Sequence, residues 1–120
     1  GVRQMLKALR RGEAVGLLPD QVPPKGMGIW SSMWGHPAYT MTLGARLAMQ
    51  TGACIILAWG ERLPNAKGYC IHVEPMQEVL AGDVDAVVLQ INHAMEQLIR
   101  QCPEQYLWGY ARFKQPRHEA

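Results

Sequence analysis

The stretch "AVGLLPDQVPPKGMG", residues 14–28, decides how the rest of the chain is read. Its first residues are a short apolar run without alternation. A strand buried on both faces, as in a parallel sheet, has that pattern. The run stops at Pro19, and Asp20 and Gln21 then open a loop of prolines and glycines. In open α/β sheets, ligand sites gather beyond the carboxyl ends of the strands. Asp20 therefore has two readings. It organises a turn beside the prolines, or it presents chemistry where a strand ends. Position alone does not choose between them.

Upstream, residues 2–11 predict an amphipathic helix. Val2, Met5, Leu6 and Leu9 share one face, Arg3, Lys7, Arg10 and Arg11 cover the other, and Gly12 caps it. Those cations read first as a solvated face, with attraction to anionic lipid as the alternative. Downstream, residues 19–36 read as one long loop, a length that often signals function. A second helix is expected from Pro37 to Thr51, with Gly52 as its cap. Gly44 within it costs about 1 kcal/mol relative to Ala, which close approach of a strand or ligand would explain.

Residues 54–59, "CIILAW", read as the next strand, so strand–helix–strand implies a right-handed parallel crossover. Residues 69–75, "YCIHVEP", alternate and should pair with 54–59 as a hairpin. Asp83 caps a helix over 84–101, whose apolar stripe is Val84, Val87, Val88, Ile91, Met95 and Leu98. Glu96 and Arg100 are spaced to pair on its wet side. The tail after Pro103 is dense in aromatics and should pack. The expected fold is α/β: a mostly parallel sheet with an antiparallel hairpin strand and flanking helices, in one domain.

Composition narrows the function classes. A chain of 120 residues can bury a real core, and 48% hydrophobic with 18% charged residues is globular rather than disordered. A net charge of +2 gives no argument for nucleic acid. Residues 26–45 lack Asp, Glu, Lys and Arg but hold serines, threonines, a histidine, one proline and four glycines, which is not a membrane-spanning helix. Cys54, Cys70 and Cys102 form no CxxC pair, which argues against a zinc site or a disulfide framework and fits a reducing setting.

The other candidates each have a plain structural reading. Ser31 and Ser32 lack a G-x-S-x-G elbow and read as solvated. Cys70, His72 and Glu74 share a strand face, but neighbours two apart are about 7 Å from each other, too far for direct hydrogen bonds. His36 reads as a cap for the second helix and His93 as a solvated helix residue. Ile29, Trp30, Met33 and Trp34 crowd an uncharged loop, which must pack on the core, hold an apolar ligand or touch a membrane.

Four stretches then carry a resemblance: "LLPDQVPPKGMG" (17–28), "WGHPAYT" (34–40), "LAMQTGACIILAWGERL" (47–63) and "IRQCPEQYLWGYARFK" (99–114). Together, in this order, they resemble the carboxyl-terminal half of the bacterial lipid A biosynthesis acyltransferases of the late, lauroyl and myristoyl type. The resemblance runs from about Met5 to Lys114. It implies a partial glycerolipid-acyltransferase-like fold. It also implies transfer of a fatty acyl chain from acyl carrier protein to a hydroxyl of a lipid A precursor, at the cytoplasmic face of the inner membrane, with no metal and no cofactor.

In that family the general base is the His of an H-x4-D/E motif. No His here has an acid five positions later. The expectation is therefore a fragment cut downstream of the base and of the membrane anchor, soluble and inactive alone. Asp20 matches the family's functional aspartate, with Gln21 beside it. Arg62 follows the second strand at a matching position, suited to an anionic head group. Tyr106, Trp108 and Arg112 match the tail motif. Tyr110 and Ala111 stand where some members have His then Arg. Trp30 and Trp34 would suit an acyl chain. The rival readings are a non-catalytic lipid-binding relative and an acyltransferase for another glycolipid or a lysophospholipid.

Overall fold

Helix α3 (Val84–Arg100) is the spine of the molecule, and its sequence says why. The Asp83 carboxylate accepts from the Ala86 N–H at 3.0 Å, capping the first turn as expected. Val87, Val88, Ile91, Leu98 and Ile99 are all buried along one face. In the computed structural model, which describes residues 1–118, the chain order is α1 (Val2–Arg10), β1 (Gly28–Met33), β2 (His36–Met41), α2 (Leu43–Thr51), β3 (Ile56–Arg62), β4 (Tyr69–Pro75) and α3. A single 3-10 turn follows at Pro103–Gln105.

Two apolar clusters sit against α3. One joins Ala45 of α2 to Val87, Val88 and Ile91, with Ile29, Ile55 and Met76 packed on it. The other joins Met33 and Ala38 of the first hairpin to Ile99, with Trp34 and Tyr106 alongside. Helix α1 leans on α2 and contributes no buried residue. Among the described residues, no helix is long and apolar enough to cross a membrane.

The mostly parallel sheet expected from the sequence is not formed. Among the described residues the strands make two separate antiparallel pairs, β1–β2 and β3–β4. The mixture of helices and strands is still compatible with the α/β class. Residues 14–18 find no ladder partner and form no strand. They lie instead along one wall of a cleft of about 820 Å³, lined on the other sides by α2, β3, α3 and the segment after α3.

Residues 28–41 correct the sequence reading a second time. They are a hairpin, not a loop followed by a helix start. Trp34 and Gly35 take φ of 54° and 75° at its turn. Two left-handed residues in succession match the twist of the flanking strands. Pro37 sits opposite Ser32 rather than at a helix N-terminus. A two-stranded sheet has only edge strands, where a missing N–H is tolerated. Gly28 starts the hairpin because nothing larger fits. A Cβ there would lie 2.5 Å from the Thr40 carbonyl oxygen.

Other expectations match. Gly52 ends α2 in the left-handed conformation, its N–H on the Ala48 carbonyl at 2.8 Å. β3 and β4 pair from Ile56↔Pro75 to Arg62↔Tyr69. The Glu96–Arg100 pair does not form. Glu96 accepts from the Trp34 N–H, and the Arg100 guanidinium lies 5.0 Å from the Trp34 ring centre.

Candidate functional site

The tail folds back over the first loop and hairpin, and buried polar groups hold it there. Arg112 is 5% exposed. Its Nη1 donates to the Tyr39 carbonyl at 2.9 Å and its Nη2 to Thr40 Oγ1 at 2.8 Å. Thr40 Oγ1 also accepts from Asn92 Nδ2 at 3.2 Å and donates to the Ala38 carbonyl at 3.0 Å. Asn92 reaches Ser32 as well, donating to its carbonyl at 3.2 Å. One hydroxyl thus joins β2, α3 and the tail, and buried polar groups persist where they are paired in this way. Arg112 Nε is buried without a partner among the described residues.

Asp20 is drawn into the same assembly. Its Oδ2 accepts from the Tyr106 hydroxyl at 3.1 Å. Two residues on, the Val22 N–H donates to the Tyr110 hydroxyl at 2.8 Å. The Gly26 N–H donates to the Tyr39 hydroxyl at 3.0 Å. Three tyrosines therefore fix the 20–26 loop, and Asp20 is half-buried. Burial, then the Asp20 charge and the hydrogen bond to it, push the Tyr106 phenol up to about 12. Burial pulls the Arg112 guanidinium below its ordinary value, while the nearby Tyr106, Asp20 and Tyr110 act against that. The result is a fixed carboxylate with a buried cation near it. A carboxylate so placed can accept hydrogen bonds from ligand hydroxyls.

The remaining predicted residues divide. Gln21 is exposed beside Asp20. Arg62 ends β3, with its backbone clamped on both sides by Gln105: N–H to Oε1 at 2.7 Å, carbonyl from Nε2 at 3.0 Å. Gln105 precedes Tyr106, so Arg62 is tied to the turn that carries the Asp20 partner. Trp30 is 46% exposed and meets Tyr39 edge-on at 5.3 Å. Trp34 lies at the hairpin turn, 6.0 Å from the Trp108 ring. Trp30 is the third residue of β1 and Trp34 follows its last, so at about 3.3 Å per strand residue the two stand on the order of 13 Å apart along the chain. Ile29 and Met33 belong to the core clusters. His36 is a strand residue against Phe113, not a helix cap.

Thr40 and Asn92 escape the sequence reading. The only signal for Asn92 is a polar residue beside Ile91 on an otherwise apolar stripe.

The family model for bacterial lipid A biosynthesis acyltransferase matches residues 1–115. The chain belongs to that family. Lipid A biosynthesis lauroyltransferase of Escherichia coli (strain K12) is 30% identical over 115 residues, which is 94% of this chain and 38% of that protein. Lipid A biosynthesis palmitoleoyltransferase of the same strain is 29% identical over 114 residues, 94% of this chain and 37% of that protein. A lipid A biosynthesis acyltransferase of Shigella flexneri matches to the same extent. The chain thus spans less than two-fifths of the length of these acyltransferases.

Proposed function

We propose that this chain is the carboxyl-terminal part of an enzyme that moves a fatty acyl chain from acyl carrier protein to a hydroxyl of a lipid A precursor. The observation that carries the reading is the family match over residues 1–115. In the reaction, a general base takes the proton of the acceptor hydroxyl. The alkoxide-like oxygen attacks the thioester carbonyl, an ester forms, and the carrier thiol leaves. The base is the His of an H-x4-D/E pair, supplied from outside this chain, so the chain alone is inactive.

Asp20 acts on the acceptor. Fixed by Tyr106, its carboxylate accepts hydrogen bonds from the precursor's hydroxyls, and Gln21 offers an amide beside it. Arg62 and Arg112 supply positive charge, Arg62 toward an anionic head group and Arg112 from beneath the loop. Trp34, Trp108 and Phe113, with Arg100 and Lys114 over neighbouring rings, suit contact with the acyl chain and the polar edge of the cytoplasmic face of the inner membrane.

The test is acyl transfer from acyl carrier protein to a lipid A precursor, by this chain alone and by a full-length protein carrying it. Product from the full-length protein only is expected. Turnover by the chain alone overturns the assignment of the base. Esterification of another glycolipid or a lysophospholipid instead overturns the assignment of the acceptor.

A further inference from the structure

The β3–β4 register gathers donors that sequence spacing keeps apart. Glu61 lies directly across from Cys70, and Trp59 across from His72. Side chains two apart on one strand face the same side, so Glu61, Cys70 and His72 share a face. His72 Nε2 is 2.9 Å from Glu61 Oε1. The ligating atoms of Glu61, Cys70 and His72 all lie within 4.8 Å of one another. From this convergence the geometry points to a transition-metal site on the β3–β4 hairpin, with zinc-type divalent ions as the ligand class and Glu61, Cys70 and His72 as the three protein donors.

The scaffold is already fixed. The His72 ring stacks on Trp59 with centres 4.5 Å apart and planes at 15°. Trp59 Nε1 donates to Gln101 Oε1 at 3.3 Å, and Gln101 Nε2 donates to Glu74 at 3.0 Å. Gln105 clamps the backbone of Arg62, next to Glu61. The end of α3 and the turn after it thus brace both strands, and sites on braced elements bind more tightly than sites on loose ones.

The donor chemistry selects the ion. Tetrahedral zinc bonds of about 2.0–2.3 Å place ligand atoms about 3.3–3.7 Å apart. Small side-chain rotations bring 4.8 Å down to that range, and the Glu61–His72 hydrogen bond gives way to two bonds to the metal. One thiolate, one imidazole and one carboxylate is a mixed set suited to zinc or cobalt rather than to magnesium or calcium. The thiol of Cys70 gives up its proton to solvent as the metal–sulfur bond forms. The two anions then balance a divalent charge. His72 and Glu61 side chains are 40% and 33% exposed, which leaves the fourth position open to water.

Cys102 is the internal control. It follows α3, and its thiol is engaged by Glu104 at 3.2 Å. Cys54 is exposed ahead of β3.

The experiment is titration of the reduced 120-residue chain with Co2+, followed by displacement with Zn2+. The expected result is one equivalent bound with tetrahedral ligand-field bands and a thiolate-to-cobalt charge-transfer band. Cys70→Ser removes the charge-transfer band. Glu61→Gln and His72→Gln weaken binding by at least about tenfold, and His72→Gln retains a planar amide against Trp59. Cys54→Ser and Cys102→Ser leave the spectrum unchanged. Absence of the charge-transfer band overturns the proposal. So does its loss in Cys102→Ser or Cys54→Ser, or an affinity unmoved by His72→Gln.

Discussion

The Tyr106 hydroxyl donates to Asp20 Oδ2 at 3.1 Å across 86 positions of the chain. The contact joins the loop that carries Asp20 to the aromatic tail. Beyond the short 3-10 turn at Pro103–Gln105, neither segment has a strand or helix to fix it, so tyrosine hydroxyls and Arg112 supply the order. Tyr106→Phe removes one charge-assisted hydrogen bond and should lower stability by about 1 kcal/mol. Urea unfolding of the chain and its variant measures this, and equal midpoints would show that the bond contributes nothing.

The same phenol gives a pH signature. Its value is raised from 10.0 to about 12 in the folded chain. A raised value means the folded state holds the proton more tightly than the unfolded state, so stability falls as pH rises above the unfolded value. Tyr106 therefore contributes fully below about pH 10, and the contribution is lost between about pH 10 and 12. The side chain is partly exposed, so the loss is smaller than the full shift implies. The readout is the difference from Tyr106→Phe, which isolates this phenol. Wild type should lose more stability than the variant over this window, and parallel curves would contradict the assignment.

Arg112 should be the costliest single site in the tail. Arg112→Met leaves the Tyr39 carbonyl and Thr40 Oγ1 short of donors, at a cost of about 3 kcal/mol. Arg112→Lys should recover less than half of this. A point-like ammonium cannot span two acceptors as the guanidinium fork does. Full recovery by lysine, read from thermal unfolding, would show that charge alone matters there.

Two glycines should respond in opposite directions. Gly28→Ala drives a Cβ to 2.5 Å from the Thr40 carbonyl oxygen and 2.7 Å from Pro23 Cγ, so the first hairpin must shift and stability should fall by about 2 kcal/mol. At Gly44 a Cβ meets only Leu17 Cδ1 at 3.5 Å, an ordinary contact. Gly44→Ala should be neutral or stabilising by up to about 1 kcal/mol, the helix-propensity difference. Differential scanning calorimetry of the two variants decides both.

What the sequence made legible follows the strength of local rules. Asp83 and the stripe from Val84 to Leu98 marked α3, because a side-chain cap and a 3.6-residue period are local signals. Alternation in "YCIHVEP" marked β4, and Gly52 marked the end of α2. The first hairpin was hidden because its turn is Trp34-Gly35 rather than an Asn-Gly pair, and because Pro37 resembles a helix start. Residues 14–18 carry a parallel-strand pattern but have no strand beside them among the described residues. At the candidate site, the resemblance singled out Asp20 and Arg112, and both side chains are hydrogen-bonded in the structure. Asn92 and Thr40 were not legible, since their value lies in a long-range network. Glu61 was missed as a partner of His72 because the pairing crosses strands.

The most direct test of the central claim is the acyl-transfer rate of a full-length protein carrying Asp20→Ala, measured per folded molecule alongside its melting temperature. A carboxylate that binds acceptor hydroxyls contributes about 1.5–3 kcal/mol. The account therefore predicts a rate at least about tenfold lower, with the fold intact. A variant that melts earlier yet keeps its rate would contradict it, and would return Asp20 to the role of a turn former.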